Sequence, residues 1–297
     1  MIRPTYLQPG DKVTLVSPSG HIPSPEEWNN ITGLLKDWGL TPVPSPHLFS
    51  RDTRDEFAPE EILQDWQAAL NDEDCRAIWS LDGDYGSLRI VEEADYSVFQ
   101  GNPKWIIGMN DTTVLHAKLY TLGIESLHAF TPDRLHDTSP EAINQVRNYL
   151  FGIISSYATP RHEYNRLGFS EGELIGGNLG WFHSLHATRL EHYTRGTILF
   201  IEESTDDLNL IDRYIRCIKY SGMLQHIEGM IVGQLGTDNN PSFQEKANRI
   251  IRAAIEEYDF PVCFNFPAGL TKENYPLILG TGIELVVSIN GGKTQFS

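Results

Sequence analysis

The sequence predicts an α/β fold whose first part is a parallel sheet covered by helices. Short apolar or β-branched runs alternate with helix-start signals through residues 12–151. This alternation is typical of parallel sheets with helices on both faces. Hydrophobic residues make up 40% of the chain and charged residues 21%, as in an ordinary globular protein. The 297 residues suffice for one large or two medium domains with a substantial core.

The elements of the first part follow from these signals in chain order. Residues 12–17 form the first strand-like run, and Ser24-Pro25-Glu26-Glu27 combines a capping box with a proline at the first helical position. Both features predict a helix start. Further strands are predicted at 40–44, 75–81, 104–109 and 126–130, and further helices at 59–70, from 87 onward, at 112–122 and at 139–151.

Regular patterning fades at residues 153–170, where serine, proline and scattered charges indicate a linker. The sequence therefore predicts one domain at 1–152 and a second at 171–297. Within the second, strands are predicted at 197–201, 229–232 and 262–266, and helices through Trp181 and Leu185, at 208–224 and at 243–258. Residues 277–292 contain glycine-rich turns that predict strands paired in hairpins.

Charge and composition exclude several classes of partner. The net charge of −17 argues against nucleic acid or an anionic membrane surface, because both require basic patches. No stretch approaches the ~20 apolar residues of a membrane span, and the first residues lack an apolar signal core. We therefore expect a cytoplasmic protein. The histidines form no metal-binding pattern, so we expect neither metal nor cofactor. Cys75, Cys217 and Cys263 lie in apolar runs and are predicted to be buried free thiols.

The turn after the strand at 75–81 carries the strongest functional signal. It reads Asp82-Gly83-Asp84-Tyr85-Gly86-Ser87 and opens a helix. A strand, a glycine-rich turn and a serine at a helix start are typical of a nucleophile elbow. The carboxyl end of a parallel strand also favours a functional role. The alternative is that Ser87 only caps the helix.

Polar residues at other strand ends are further candidates. Glu202 follows an apolar strand, where a buried carboxylate would need a partner such as an imidazole N–H. Alternatively, it caps the next helix, with Glu203 as an exposed neighbour. Asp111 either caps the helix at 112–122 or contacts a substrate near Ser87. The glycines before Asn178 allow close backbone approach, either to a ligand or to packed structure.

Taken together, these segments resemble the LD-carboxypeptidase family, which includes the microcin C self-immunity peptidases. The matching segments follow one another in the family's order over nearly the whole chain. They are Pro9-Gly10-Asp11-Lys12-Val13, Ser17-Pro18-Ser19-Gly20, Gly83 to Ser87, Ile107 to Thr112, Leu127-His128, Gly176-Gly177-Asn178-Leu179, Leu199 to Glu203 and Ile211-Asp212-Arg213.

The resemblance implies a Rossmann-like N-terminal domain, a mostly β C-terminal domain and an active site between them. It implies a serine–histidine–glutamate triad that cleaves amide bonds near a free carboxylate, in peptidoglycan stem peptides or peptide-nucleotide antibiotics. It also implies a homodimer, for which Trp181-Phe182 would be a suitable contact. Carried over by position, Ser87 is the nucleophile and Glu202 the orienting carboxylate. The remaining assignments are Gly83, Asp84 and Leu88 to the oxyanion turn, and Asn110, Asp111, His128 and Asn178 to substrate contact.

Two departures from the family pattern affect this chemistry. Leu270 occupies the position of the triad histidine, and no histidine follows His226. Asp84 replaces a glycine of the turn, where a carboxylate would oppose developing negative charge. Three hypotheses follow: a serine hydrolase with a relocated base, a catalytically silent homologue that binds peptides, or a cleft with unrelated chemistry. The candidate replacement bases are Asp82, Asp84, Lys272 and His128.

Overall fold

The computed structural model describes residues 1–50, 59–237 and 240–296. It confirms the predicted α/β class, with one sheet made mainly of parallel strands and a second, mostly β region flanked by helices. Each sheet gathers strands from one half of the chain, with the exceptions given below.

The first sheet is built from a parallel core of β1 (Lys12–Val16), β2 (Thr41–Pro44), β3 (Cys75–Ser80), β4 (Trp105–Gly108) and β5 (Ser126–His128). Within the described residues the strand order is β5-β4-β3-β1-β2. The order reverses between β1 and β3, and such a switch point opens a crevice at the carboxyl ends of the strands. The predicted nucleophile turn follows β3 and therefore lies at this crevice.

Helices cover this sheet. They are α1 (Pro25–Asp37), α2 (Pro59–Asn71), α3 (Ser87–Ile90), α4 (Ser97–Gly101), α5 (Thr113–Thr121) and α6 (Pro140–Leu150). The predicted capping box is present at α1, where Ser24 and Glu27 exchange side chain–backbone hydrogen bonds. Ser139 caps α6 in the same way as Ser24, by accepting from a backbone amide of the first turn.

The second sheet combines parallel and antiparallel strands. Its members are β6 (Tyr157–Thr159), β7 (Gly168–Asn178), β8 (Thr197–Glu203), β9 (Gly229–Leu235), β10 (Val262–Cys263), β12 (Gly282–Ser288) and β13 (Gly291–Phe296). Among the described residues the order is β10-β9-β8-β7-β12-β13-β6. The parallel part carries α7 (Leu179–Ser184), α8 (Leu208–Tyr220) and α9 (Pro241–Ala254).

Two strands cross the predicted domain division. β11 (Leu277–Leu279) pairs antiparallel with β5 and so completes the first sheet, although it belongs to the predicted second domain. Within the predicted linker at 153–170, β6 pairs with β13 of the second sheet. One hydrophobic cluster also contains side chains of both sheets, including Trp79, Ile107, Leu174 and Phe200. The two halves are therefore joined by a shared core.

Two predictions about individual side chains are wrong. Cys75 and Cys263 are buried, but Cys217 is exposed on α8, because only one face of that helix packs against the sheet. Phe182 is 1% exposed and packs in the core of the second sheet, so it does not provide the predicted dimer contact. Within the described ranges, none of the helices has the length and apolar character needed to span a bilayer.

Candidate active site

The predicted nucleophile turn has the geometry of a tight strand-to-helix connection. Ser87 is the first residue of α3, and Gly86 rather than Ser87 occupies the cap position. A Cβ on Gly86 would lie 1.9 Å from the carbonyl oxygen of Pro18, so only glycine permits this packing against the loop after β1. The Ser87 side chain is 1% exposed, and its Oγ has no hydrogen-bond partner among the described residues.

Asp111 holds this turn from the neighbouring strand end. Its Oδ2 accepts the amide of Ser87 at 2.6 Å and that of Gly86 at 3.1 Å. Burial raises the pKa of Asp111 to about 6, although its contacts with Ser87 and Gly86 favour the charged form. The alternative that Asp111 caps its own helix is wrong, because no side chain caps that helix. Its position beside Ser87 is the one expected for adjacent parallel strands.

Glu202 lies at the end of β8 and is fully buried. Neither of its carboxyl oxygens has a hydrogen-bond partner among the described residues. Burial raises the pKa of Glu202 to about 8, while Asn178 favours the charged form to a smaller degree. The alternative that Glu202 caps the next helix is wrong. At neutral pH the side chain is mainly a neutral carboxylic acid.

Glu203, which the capping alternative placed at the surface, is also buried. Its oxygens accept from the amides of Gly180, Ser204 and Thr205 at 2.8–3.0 Å and from Asn178 Nδ2 at 3.3 Å. The strand is buried on both faces, so consecutive side chains are both enclosed. Glu203 therefore fixes the loops after β7 and β8, a role that the sequence analysis missed.

Asn178 connects the two halves of the molecule. Its backbone N–H donates to Thr113 Oγ1 at 3.0 Å. Its side-chain Oδ1 caps α7 by accepting from the backbone N–H of Trp181 at 3.1 Å. Trp181 in turn stacks on Tyr85 of the nucleophile turn, with ring centroids 5.8 Å apart. Asn178 is 2% exposed, which places it beneath the surface as a positioning residue.

His128 lies next to Glu202. The Nε2 atom of His128 is 4.0 Å from Oε1 of Glu202, and both side chains are fully buried. Burial lowers the pKa of His128 to about 3, so its imidazole is neutral at pH 7. The nearby His116 also has a pKa lowered to about 3 by burial, and its Nε2 donates to the carbonyl of Gly108 at 3.1 Å.

Leu270 lies on the cleft wall near the nucleophile turn, and the residue before it packs on Glu202. A Cβ on the preceding residue, Gly269, would lie 2.9 Å from Cβ of Glu202, so this loop packs directly on the buried carboxyl group. Leu270 itself lines a cleft together with Gly83 and Asp84 of the nucleophile turn and with Ser204. An aliphatic side chain therefore stands on the cleft wall beside the nucleophile turn.

The cleft has a volume of about 240 Å³. Its walls are formed by Gly83, Asp84, Met109, Asn110, Thr131, Asp133, Arg134, Ser204 and Leu270. Four of the predicted site residues therefore line one cavity, namely Gly83, Asp84, Asn110 and Leu270. The set of lining residues does not include Ser87, Asp111, His128, Asn178 or Glu202, which are buried, or Leu88, whose side chain is exposed.

The predicted oxyanion donor at Asp84 is already engaged. Its amide donates to Oδ1 of Asp82 at 3.1 Å, and Asp82 Oδ2 accepts from the hydroxyl of Ser17 at 2.9 Å. Asp82 therefore organises the turn rather than facing the cleft. Lys272 is exposed and is not among the residues that line the cleft. In the described part of the chain, no three His, Cys, Asp or Glu side chains are grouped to hold a metal ion.

The sequence analysis missed five residues of the cleft wall, which are Met109, Thr131, Asp133, Arg134 and Ser204. Thr131, Asp133 and Arg134 follow β5 in a short 3-10 helix region, outside the matching family segments. Their signal was positional, since they come after the carboxyl end of a strand that neighbours β4.

Comparison with known proteins identifies the class. The LD-carboxypeptidase N-terminal domain matches residues 13–129, and the LD-carboxypeptidase C-terminal domain matches residues 171–285. Together they cover most of the chain, so it belongs to the LD-carboxypeptidase family, whose members are serine-type carboxypeptidases.

Individual relatives are similar over most of their length. A Bacillus subtilis protein named as a probable murein peptide carboxypeptidase is 28% identical over 77% of this chain and 74% of its own. The muramoyltetrapeptide carboxypeptidase of Oxalobacter formigenes superposes with a TM-score of 0.85 at 20% identity, over 96% of this chain and 98% of its own. The microcin C7 self-immunity protein MccF, in complex with aspartyl sulfamoyl adenosine, superposes with a TM-score of 0.83 at 18% identity, over 99% of this chain and 98% of its own.

Proposed function

We propose that this protein binds short peptides with a free carboxylate in the cleft between the nucleophile turn and Leu270, without the proton transfer that its family uses. The observation that carries this proposal is the position of Leu270. It shares the cleft wall with Gly83 and Asp84, and its loop packs on Glu202. These contacts support the expectation, taken from the family resemblance, that the leucine replaces the base.

The remaining groups do not replace that base in the geometry described. Leucine neither accepts a proton nor orients Glu202 through an N–H. The Ser87 hydroxyl and the Glu202 carboxyl group have no hydrogen-bond partners among the described residues. Removing one member of the catalytic triad of a serine protease leaves only ~10³–10⁴-fold acceleration over water. Binding at the cleft does not require this machinery and would persist.

The ligand class follows from the cleft and from the family. Arg134 contributes a guanidinium group to a wall, and guanidinium groups bind carboxylates in a planar, two-point geometry. Peptidoglycan stem peptides and peptide-nucleotide compounds both carry such a carboxylate. The relatives named above include one muramoyltetrapeptide carboxypeptidase and one protein that binds aspartyl sulfamoyl adenosine.

A second candidate function is slow hydrolysis with a relocated base. Asp111 favours it, because its carboxylate accepts the Ser87 amide at 2.6 Å while its Oδ1 has no partner among the described residues. Its pKa of about 6 is close to the working range of a general base. His128 is less suitable, because it is buried with its Nε2 near Glu202 and its ring packs edge-on against Phe200.

One experiment separates the two candidates. The pure protein is incubated with an L,D-linked tetrapeptide or with an acyl-sulfamoyl adenylate. Product is followed by mass spectrometry, and binding is measured by calorimetry. Saturable binding without product, together with weaker binding of the C-terminal amide of the peptide, supports the silent binder. Turnover that is abolished by Ser87→Ala and by Asp111→Asn supports the hydrolase, and absence of binding overturns the first proposal.

The homodimer and the cytoplasmic location stay predictions. We propose the homodimer on the family resemblance alone, and sedimentation analysis of the pure protein tests it.

A further inference from the structure

We propose that the cleft selects ligands that carry an ammonium group close to their free carboxylate, with Asp84 and Asp133 binding the ammonium and Arg134 the carboxylate. This inference rests on the proposed function, because it specifies which carboxylate-bearing peptides the same cleft accepts. It is carried by the charges on the cleft wall.

Those charges are two carboxylates and one guanidinium. Among the described residues that line the cavity, Asp84, Asp133 and Arg134 are the ones with ionisable side chains. A ligand that offered only a carboxylate would match Arg134 and meet repulsion from the two acids. A ligand with both charges satisfies the whole wall, which is how polar sites discriminate between ligands of similar size.

Asp133, on the wall of the cleft, has a carboxylate oxygen without a hydrogen-bond donor among the described residues. Its Oδ1 is buried and has no hydrogen-bond partner among the described residues. Burial raises the pKa of Asp133, Asp84 adds to that rise, and Thr131 and Arg134 oppose it. A buried acceptor without a donor costs free energy, and a ligand N–H group at the cleft would supply the missing donor.

Asp84 adds a charge that the family pattern lacks. The exposed side chain lines the cleft, at a turn position where the family pattern described above has glycine. Asp84 and Asp133 line the same cavity, so a cation bound there would be attracted by both carboxylates. For hydrolysis this carboxylate is unfavourable, but for binding a cation it is an advantage.

The guanidinium group of Arg134 forms only a weak, exposed ion pair within the described part of the protein. Its Nη2 pairs with Asp137 Oδ2 at 3.2 Å, and both side chains are more than a third exposed. Such an exposed pair contributes little to stability, so a ligand carboxylate can compete for the guanidinium. The cavity of about 240 Å³ is smaller than a drug-sized pocket of ~300–1,000 Å³. We therefore expect it to hold the charged end of a peptide rather than the whole molecule.

The test uses three forms of one N-acetylated L,D-linked tetrapeptide that ends in Lys–D-Ala: unmodified, Nε-acetylated at lysine, and amidated at the C-terminus. Calorimetry measures each with the natural protein, with Asp84→Gly, Asp133→Asn and their combination, and with Asp37→Asn as a matched charge control on the exposed end of α1. Circular dichroism verifies folding of every variant.

We expect Nε-acetylation to weaken binding to the natural protein and to Asp37→Asn about tenfold or more, as for loss of a charge-assisted hydrogen bond. The combined Asp84 and Asp133 variant should lose most of this discrimination and still bind the unmodified peptide more tightly than its amide. Equal binding of the unmodified and acetylated peptides, with weaker binding of the amide, overturns this inference and leaves the proposed function standing. No binding of any form overturns both.

Discussion

The Nε2 atom of His128 lies 4.0 Å from Oε1 of Glu202, yet the two groups are not an ion pair at neutral pH. Burial raises the pKa of Glu202 to about 8 and lowers that of His128 to about 3. Between these values the acid keeps its proton and the imidazole stays neutral. The buried pair of Glu202 and His128 therefore carries no net charge, in contrast to an active triad, whose carboxylate is ionised.

The buried acid predicts a specific dependence of stability on pH. The ordinary pKa of Glu202 is 4.5 and its pKa in the folded protein is about 8, so the folded state holds a proton that the unfolded state releases. The stabilising contribution is complete below pH 4.5 and is lost as pH rises through 8. Each pKa unit corresponds to about 1.4 kcal/mol, so the total loss is on the order of several kcal/mol.

Glu202→Gln tests this dependence, because an amide of the same shape does not titrate. We expect the free energy of unfolding of Glu202→Gln, relative to the natural protein, to rise progressively between pH 5 and pH 9. Urea denaturation across that range measures it. As a matched control, Glu284→Gln on the exposed side of β12 should show no such trend, and parallel curves for all three proteins would contradict the raised pKa.

Asp111 should matter for stability independently of any catalysis. Asp111→Ala removes the acceptor for two buried amides, and each unsatisfied buried amide costs about 1–3 kcal/mol. Asp111→Asn keeps an oxygen in the same place, so its cost should be clearly smaller. Chemical denaturation of both variants measures the difference. Equal destabilisation by alanine and asparagine would show that the two amides find other partners.

The sequence could predict where strands end, but not which of the polar groups there face solvent. Ser87, Asp111 and Glu202 were identified as candidates because they follow apolar runs. The parallel pairing of β3 with β4 brings Asp111 beside Ser87, whereas Glu202 ends a strand of the second sheet. Their hydrogen bonds depend on loops that are remote in sequence. Asp111 serves the turn after β3 rather than its own helix, and Glu203 is enclosed because both faces of β8 are covered. Such long-range contacts leave no local pattern.

The same limit applies to the exchange of β11 between the two halves. Leu277 to Leu279 read as part of a hairpin because glycines follow at 280 and 282. In the structure this strand pairs with β5 instead, and in the preceding loop Gly269 packs on Glu202. Local turn signals predict that a strand begins or ends, but they do not predict which edge it joins.

Ser87→Ala should leave binding and folding intact. The Ser87 Oγ is buried without a hydrogen-bond partner among the described residues, so its removal eliminates an unsatisfied polar atom rather than an interaction. We expect peptide affinity within about twofold of the natural protein and an unfolding free energy that is unchanged or about 0.5–1.5 kcal/mol higher. Calorimetry and urea denaturation measure the two quantities. A large loss of either would mean that the hydroxyl makes a contact essential to the fold or to the ligand.

Leu270→His should recover part of the family chemistry. The substitution places an imidazole on the cleft wall beside the nucleophile turn and above Glu202, where general-base catalysis is worth about 10²–10⁴-fold. An ionised Glu202 would be stabilised by the imidazole N–H, so its pKa should fall and the rate should increase through the range in which the new histidine loses its proton. Hydrolysis of the L,D-linked tetrapeptide is measured by mass spectrometry from pH 5 to pH 9.

Two kinds of control accompany this measurement. Leu270→Gln controls for polarity without basicity and should show no gain in hydrolysis. Adding Ser87→Ala or Glu202→Gln to Leu270→His should remove the gain. A folded Leu270→His protein that binds peptide but hydrolyses it no faster than the natural protein would show that Ser87 and position 270 do not act on the same bond.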